Sequence, residues 1–89
     1  MSGKILVVDD SQTVRQQVEC ALSQAGFEVV QAEDGVGGWE KLTSNEGIGL
    51  IICDVNMPRM TGLELVEKIA ECGAYTNVPI IMLTTEGAP

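Results

Sequence analysis

The residues that could do chemistry sit at the ends of short apolar runs. Ile5 to Val8 leads straight into Asp9 and Asp10, and Leu50 to Cys53 leads into Asp54, with Asn56 two residues on. A third run, Ile80 to Leu83, ends on Thr84 and Thr85. If these runs are neighbouring strands, three carboxylates and a hydroxyl meet at one sheet edge. Two unit charges about 4 Å apart repel by about 4 kcal/mol at an effective dielectric of 20. A hard divalent cation offsets that cost, and Mg²⁺ suits one or two carboxylates supplemented by water and phosphate. The constellation predicts a Mg²⁺ site at which one carboxylate could act as a nucleophile toward a phosphoryl group. Taken singly, each residue has a plainer explanation. Asp9 or Asp10 could cap a helix, Asp54 could stabilise a turn, and Thr84 could simply fill a strand. Those explanations must coincide at three strand ends, whereas one cation accounts for all three.

The elements that would position these groups are legible in the hydrophobic pattern. Ile5 to Val8 reads as a strand buried on both faces. In "SQTVRQQVECALSQAG", Val14, Val18 and Leu22 recur every four residues with Ala21 and Ala25 alongside, which predicts an amphipathic helix. Ser11 or Asp10 can cap its start and Gly26 can end it. A second strand is expected over Phe27 to Ala32. Asp34-Gly35 could signal a hairpin, but the following residues lack strand alternation. "VGGWEKLTSN" reads as a helix on Val36, Trp39 and Leu42, weakened by Gly37 and Gly38 at about 1 kcal/mol each relative to Ala. "GLIICDV" is the third strand, "NMPRMT" a loop broken by Pro58, and "GLELVEKIAECG" a helix with Leu65, Val66, Ile69 and Ala70 inward and Gly73 at its close. Val78 to Thr84 is the fourth strand. The order β-α-β-α-β-α-β specifies an α/β fold, a parallel sheet with crossover helices on its faces. Ligands of such sheets sit beyond the carboxyl ends of the strands.

Composition narrows the function classes. The 89 residues are expected to form one domain, 1–89, with a modest core of aliphatic side chains, since Trp, Tyr and Phe occur once each. A net charge of -8 disfavours direct contact with nucleic acid. The three cysteines, Cys20, Cys53 and Cys72, lie in apolar segments with no C-x-x-C pair, and the chain has no His. A zinc site is therefore disfavoured, and buried, reduced cysteines of a cytoplasmic protein are expected. The N-terminal segment has neither the signal-peptide nor the membrane-span pattern, so no membrane partner is expected.

The segments "ILVVDDS", "DVNMPRMTG" and "IIMLTTEG" resemble those of the receiver domain of bacterial two-component response regulators, the CheY-like family. The resemblance covers essentially the whole chain. It implies a flavodoxin-like sheet of order 2-1-3-4 with helices on both faces, and phosphoryl transfer from a sensor histidine kinase to Asp54. It also implies that Asp10 ligates Mg²⁺ directly, that Asp9 acts nearby through water, and that Asn56 offers its backbone carbonyl. Thr84 would be the switch hydroxyl, Pro58 and Gly62 would shape the loop, and Met57 and Met60 would pack.

The resemblance also sets a departure. A complete receiver continues through a last helix-strand-helix portion that carries a lysine for the phosphoryl oxygens. Lys4, Lys41 and Lys68 lie in other segments. The chain thus reads as a C-terminally truncated receiver, and two expectations follow. Phosphorylation should be impaired by the missing positive charge. The fourth strand should become an exposed edge that favours homo-oligomers. The competing readings are a self-associating structural fragment without phosphotransfer switching, and a Mg²⁺-dependent phosphohydrolase. The second is disfavoured because Asn56 stands where proton transfer would need a carboxylate. No Walker-type or Rossmann glycine pattern supports nucleotide binding. Trp39 reads as a packing residue and Arg59 as a solvated charge beside the acids.

Overall fold

The computed structural model describes residues 3–54, 62–75 and 77–83. It contains β1 (Lys4–Val8), α1 (Gln12–Gln24), β2 (Glu28–Ala32), α2 (Gly35–Ser44), β3 (Ile48–Asp54), α3 (Gly62–Cys72) and β4 (Ile80–Leu83). The four strands form one parallel sheet in the order β2-β1-β3-β4. This is the CheY-like, flavodoxin-like arrangement that the motifs imply.

The period of two along each strand divides the core between the two faces. Leu6, Val8, Ala32, Ile51 and Cys53 share one face with Leu42 of α2 and with Leu65 and Ile69 of α3, all in one buried cluster. The opposite face carries Val7, whose register partners are Gln31 and Ile52. It is covered by α1, whose Arg15 is hydrogen-bonded to Gln31. Helices therefore lie on both faces. Between Lys4 and Ile5 the β1–β3 register shifts, so that Lys4 faces Ile48 but Ile5 faces Leu50. Gly49 is the extra residue. A one-residue insertion reverses the facing of everything before it, which lets Ile48 enter the same cluster as Ile51.

Local chemistry sets the helix boundaries. Ser11, not Asp10, caps α1: its side-chain oxygen accepts from the Val14 amide at 3.3 Å. The helix ends on Gly26 at φ 95°, with the Gly26 amide bonded to the Ser23 carbonyl and the Phe27 amide to that of Leu22. These are the two bonds of a Schellman closure. Asp34 caps α2 by accepting from the Gly37 amide at 2.7 Å, so Asp34-Gly35 opens a helix and the hairpin alternative is set aside. Gly73, at φ 74°, follows α3.

Several boundaries and burials differ from expectation. β2 starts at Glu28, leaving Phe27 40% exposed. β4 starts at Ile80, because the Val78 amide is taken by the Tyr75 carbonyl in a turn. The stripe of α1 is only half-buried at Val14, Val18 and Leu22, and Ala21 and Ala25 are exposed. Within α3, Leu65 and Ile69 are buried, Val66 is half-buried and Ala70 is exposed. Only Cys53 among the cysteines is buried; Cys20 and Cys72 are exposed. Both fall on the solvent side of their helices, which apolar sequence context does not reveal. Burial pushes the Cys53 thiol up to about 12, with the charges of Asp54 and Asp9 acting in the same direction.

The glycines of α2 are a condition of packing. A Cβ on Gly38 would stand 2.9 Å from Val8 Cγ2 and 3.2 Å from Leu65 Cδ2. The helix can approach β1 and α3 only without that atom. Trp39 packs at the α2–α3 junction, edge-on to Tyr75 at 6.3 Å between ring centroids, with the Lys68 ammonium 5.0 Å from its own ring centroid. A Gly38→Ala substitution should destabilise by about 1–3 kcal/mol through overpacking, despite the better helix propensity of Ala. Gly37→Ala, whose added carbon would come no closer than 3.4 Å to Asp34 Oδ1, should fall within about 1 kcal/mol of the parent. Urea unfolding of both variants checks the pair; equal midpoints would contradict the packing argument.

Candidate functional site

Strand register places the acids. Val8 is paired with Cys53, so Asp9, just beyond β1, and Asp54, the last residue of β3, stand at one level on adjacent strands. Asp9 is 1% exposed and Asp54 1% exposed, while Asp10 lies in solvent. One carboxylate oxygen from each of Asp9, Asp10 and Asp54 lies within 4.8 Å of the other two. The convergence expected from the sequence is present for these three. Thr84, Asn56, Arg59, Pro58, Met57 and Met60 lie outside the described residues.

The polar atoms of Asp9 are held in fixed positions. Its amide donates to the Ala32 carbonyl at 3.1 Å, extending the β1–β2 ladder by one step. Its Oδ1 accepts from the Ser11 amide at 2.8 Å. Its carbonyl accepts from Arg15 Nη1 at 2.6 Å. Its Oδ2 is buried and has no hydrogen-bond partner among the described residues. Burial raises the Asp9 carboxyl above its ordinary 3.8; the Ser11 amide opposes this, Asp54 and Asp10 add to it, and Arg15 opposes it.

An unpartnered carboxylate oxygen in a dry setting is costly. At about 5 Å and an effective dielectric of 20, each charge pair adds about 3 kcal/mol of repulsion. A divalent cation among the three acids would remove both costs. The donors are all oxygen, which suits Mg²⁺ or Ca²⁺ and not a softer metal. The residues present therefore fit a Mg²⁺ site. The plainer reading of Asp9, a helix cap, does not hold, because Ser11 caps α1; Oδ1 bonds the Ser11 amide instead, and Oδ2 has no partner among the described residues.

The motif reading passed over Arg15 and Gln31. Arg15 Nε donates to Gln31 Oε1 at 3.0 Å, and Gln31 Nε2 donates to Glu19 Oε1. The sequence signal was slight: a single cation in the first turn of α1, six residues beyond Asp9.

Comparison with known proteins agrees with this geometry. The pattern of the response regulator receiver domain matches residues 5–89. The chain is 49% identical over 85 residues to the chemotaxis protein CheY1 of Helicobacter pylori, spanning 94% of this chain and 68% of the relative. A CheY homologue of Campylobacter jejuni is also 49% identical, with 65% of its length covered. Chemotaxis response regulator CheY4 of Vibrio cholerae superposes with a TM-score of 0.90 at 44% identity, covering all of this chain and 73% of that one. With strand order, acidic cluster and sequence in agreement, the chain belongs to the response regulator receiver domain family.

Proposed function

We propose that the chain accepts a phosphoryl group on Asp54 from a phosphohistidine of a sensor histidine kinase, with Mg²⁺ held by Asp9, Asp10 and Asp54. The observation that carries this reading is the buried Oδ2 of Asp9, without a hydrogen-bond partner among the described residues, within a cluster of three carboxylates. Family membership supports the phosphoacceptor role. An Asp54 carboxylate oxygen attacks phosphorus, the phosphorus–nitrogen bond breaks, and the imidazole keeps the electron pair and takes up a proton. The product is an acyl phosphate on Asp54. Mg²⁺, when bound, supplies positive charge against the phosphoryl oxygens. Asp9 and Asp10 hold that charge in place. In this reading Asn56 contributes its backbone carbonyl to the metal and Thr84 its hydroxyl to the phosphoryl group.

The chain is then a substrate of phosphotransfer, not a turnover enzyme, with at most Mg²⁺-dependent self-phosphorylation and dephosphorylation. No described helix is long and apolar enough to cross a membrane. Exposed free thiols at Cys20 and Cys72 suit a cytoplasmic location.

A second reading, self-association, rests on β4. In the described sheet this strand is hydrogen-bonded only to β3 and stands at an edge. Ile81, on the face that α1 covers farther along, is 48% exposed. Unpaired edges and exposed apolar side chains favour pairing with another copy.

Three outcomes test these readings. Incubation with a small phosphodonor and Mg²⁺ should add one phosphoryl group by intact-mass measurement. Asp54→Asn should abolish it, and labelling of Asp54→Asn equal to the parent would reject the assignment. The second concerns pH. Because the Asp9 carboxyl is raised in the folded state, the folded chain binds more protons than the unfolded one just above 3.8. Metal-free stability should therefore fall as pH rises from that value through the folded titration. Urea midpoints across pH should show the decline, and Asp9→Asn should flatten it. Third, sedimentation at increasing concentration should show assembly that Ile81→Lys weakens; a monomer at all concentrations would exclude the edge-strand reading.

A further inference from the structure

Among the described residues, the side chain that anchors Asp9 from α1 is Arg15. Arg15 presents two donors of its planar guanidinium to two different elements: Nη1 to the Asp9 carbonyl at 2.6 Å and Nε to Gln31 Oε1 at 3.0 Å. Gln31 is held in turn, because its Nε2 donates to Glu19, one helical turn beyond Arg15. The fork is thus clamped between α1, β2 and the segment leaving β1.

The anchored atom is the oxygen of the peptide that joins Asp9 to Asp10. A peptide unit is planar, so fixing its carbonyl oxygen also fixes the direction of its N–H and the position of the next Cα. Arg15 therefore determines where the exposed Asp10 begins. The Ser11 amide bond to Asp9 Oδ1 closes the same turn from the other side. Asp10 has no burial to hold it in place, unlike Asp9 and Asp54.

We propose that Arg15, braced by Gln31 and Glu19, is a positioning residue that presets the Asp9–Asp10 peptide for divalent-cation binding at the acidic cluster. The proposal rests on the Mg²⁺ reading above for its consequence, though not for its geometry. Positioning and simple electrostatics predict opposite signs. As a mere neighbouring cation, Arg15 would compete with Mg²⁺, and its removal would tighten binding. As an anchor, its removal weakens binding even though a competing charge is lost. Lysine keeps the charge but cannot span both acceptors with a planar fork.

The test is Mg²⁺ titration by calorimetry at fixed pH and ionic strength, joined to backbone amide NMR without metal. Arg15→Lys, Gln31→Ala and Arg15→Met should each weaken Mg²⁺ binding by about tenfold, the lower end of what outer partners of metal ligands contribute. Without metal, the Asp10 and Ser11 amide signals should broaden or double in Arg15→Lys while those of β2 and β3 stay in place. Tighter or unchanged Mg²⁺ binding in Arg15→Met overturns the proposal, as do unaltered Asp10 and Ser11 amides in Arg15→Lys. If Arg15→Met fails to fold, the other two variants decide by the same criteria. A parent chain that binds no Mg²⁺ rejects the metal reading, and the metal-free amide signals still decide the role of Arg15.

Discussion

Mutual repulsion of carboxylates at one sheet edge is the constraint around which this molecule is organised. Left to themselves, three acids within 4.8 Å of one another would move apart. They cannot, because two of them are continuous with strands whose register is fixed along their length. Val8 lies beside Cys53, and both side chains are fully buried. Separating Asp9 from Asp54 would mean breaking the ladder behind them and exposing that core. Hydrophobic burial thus holds an electrostatically unfavourable arrangement together, and burial first, then the neighbouring Asp54 and Asp10, raise the Asp9 carboxyl above its ordinary value.

The same logic explains features remote from the acids. Leu6, Val8, Ile51 and Cys53 all face α2 and α3, and Gly49 admits a one-residue shift that brings Ile48 onto their side. Gly38 lets α2 come close enough to cover Val8. The opposite face is protected less evenly. Val7 is buried beneath α1, its partner Ile52 is half-buried, and Ile81 beyond is 48% exposed. Cover on that face declines with distance from α1, and the stripe of α1 itself is only half-buried.

Much of this was legible from residue order. Short β-branched runs alternating with helical patterns specify a parallel sheet, and acids at the ends of two runs specify an anionic edge. The weak helix formed despite two glycines because its apolar side, Leu42 above all, had a core to enter, and tertiary packing outweighs intrinsic propensity. The apolar context around Cys20, Cys72 and Ala70 was misleading. A helix turns 100° per residue, and one or two positions separate the inner side from solvent. The starts of β2 and β4 were misplaced for a related reason: Phe27 and Val78 have strand-like side chains, but their amides are spent on helix and turn closure.

Sequence alone determined the alternation of elements and the anionic character of the strand ends, because these follow from side-chain chemistry and local period; the singling out of Asp54 among the acids is what the family resemblance implies. Only the tertiary structure decided which oxygen of Asp9 is left without a partner among the described residues, that Asp10 stands in solvent while Asp9 and Asp54 are buried, and that Arg15 reaches across to hold the peptide between Asp9 and Asp10. Those outcomes depend on distances between segments that are far apart along the chain. Such distances are set by the summed packing of both sheet faces, and no local pattern encodes that sum.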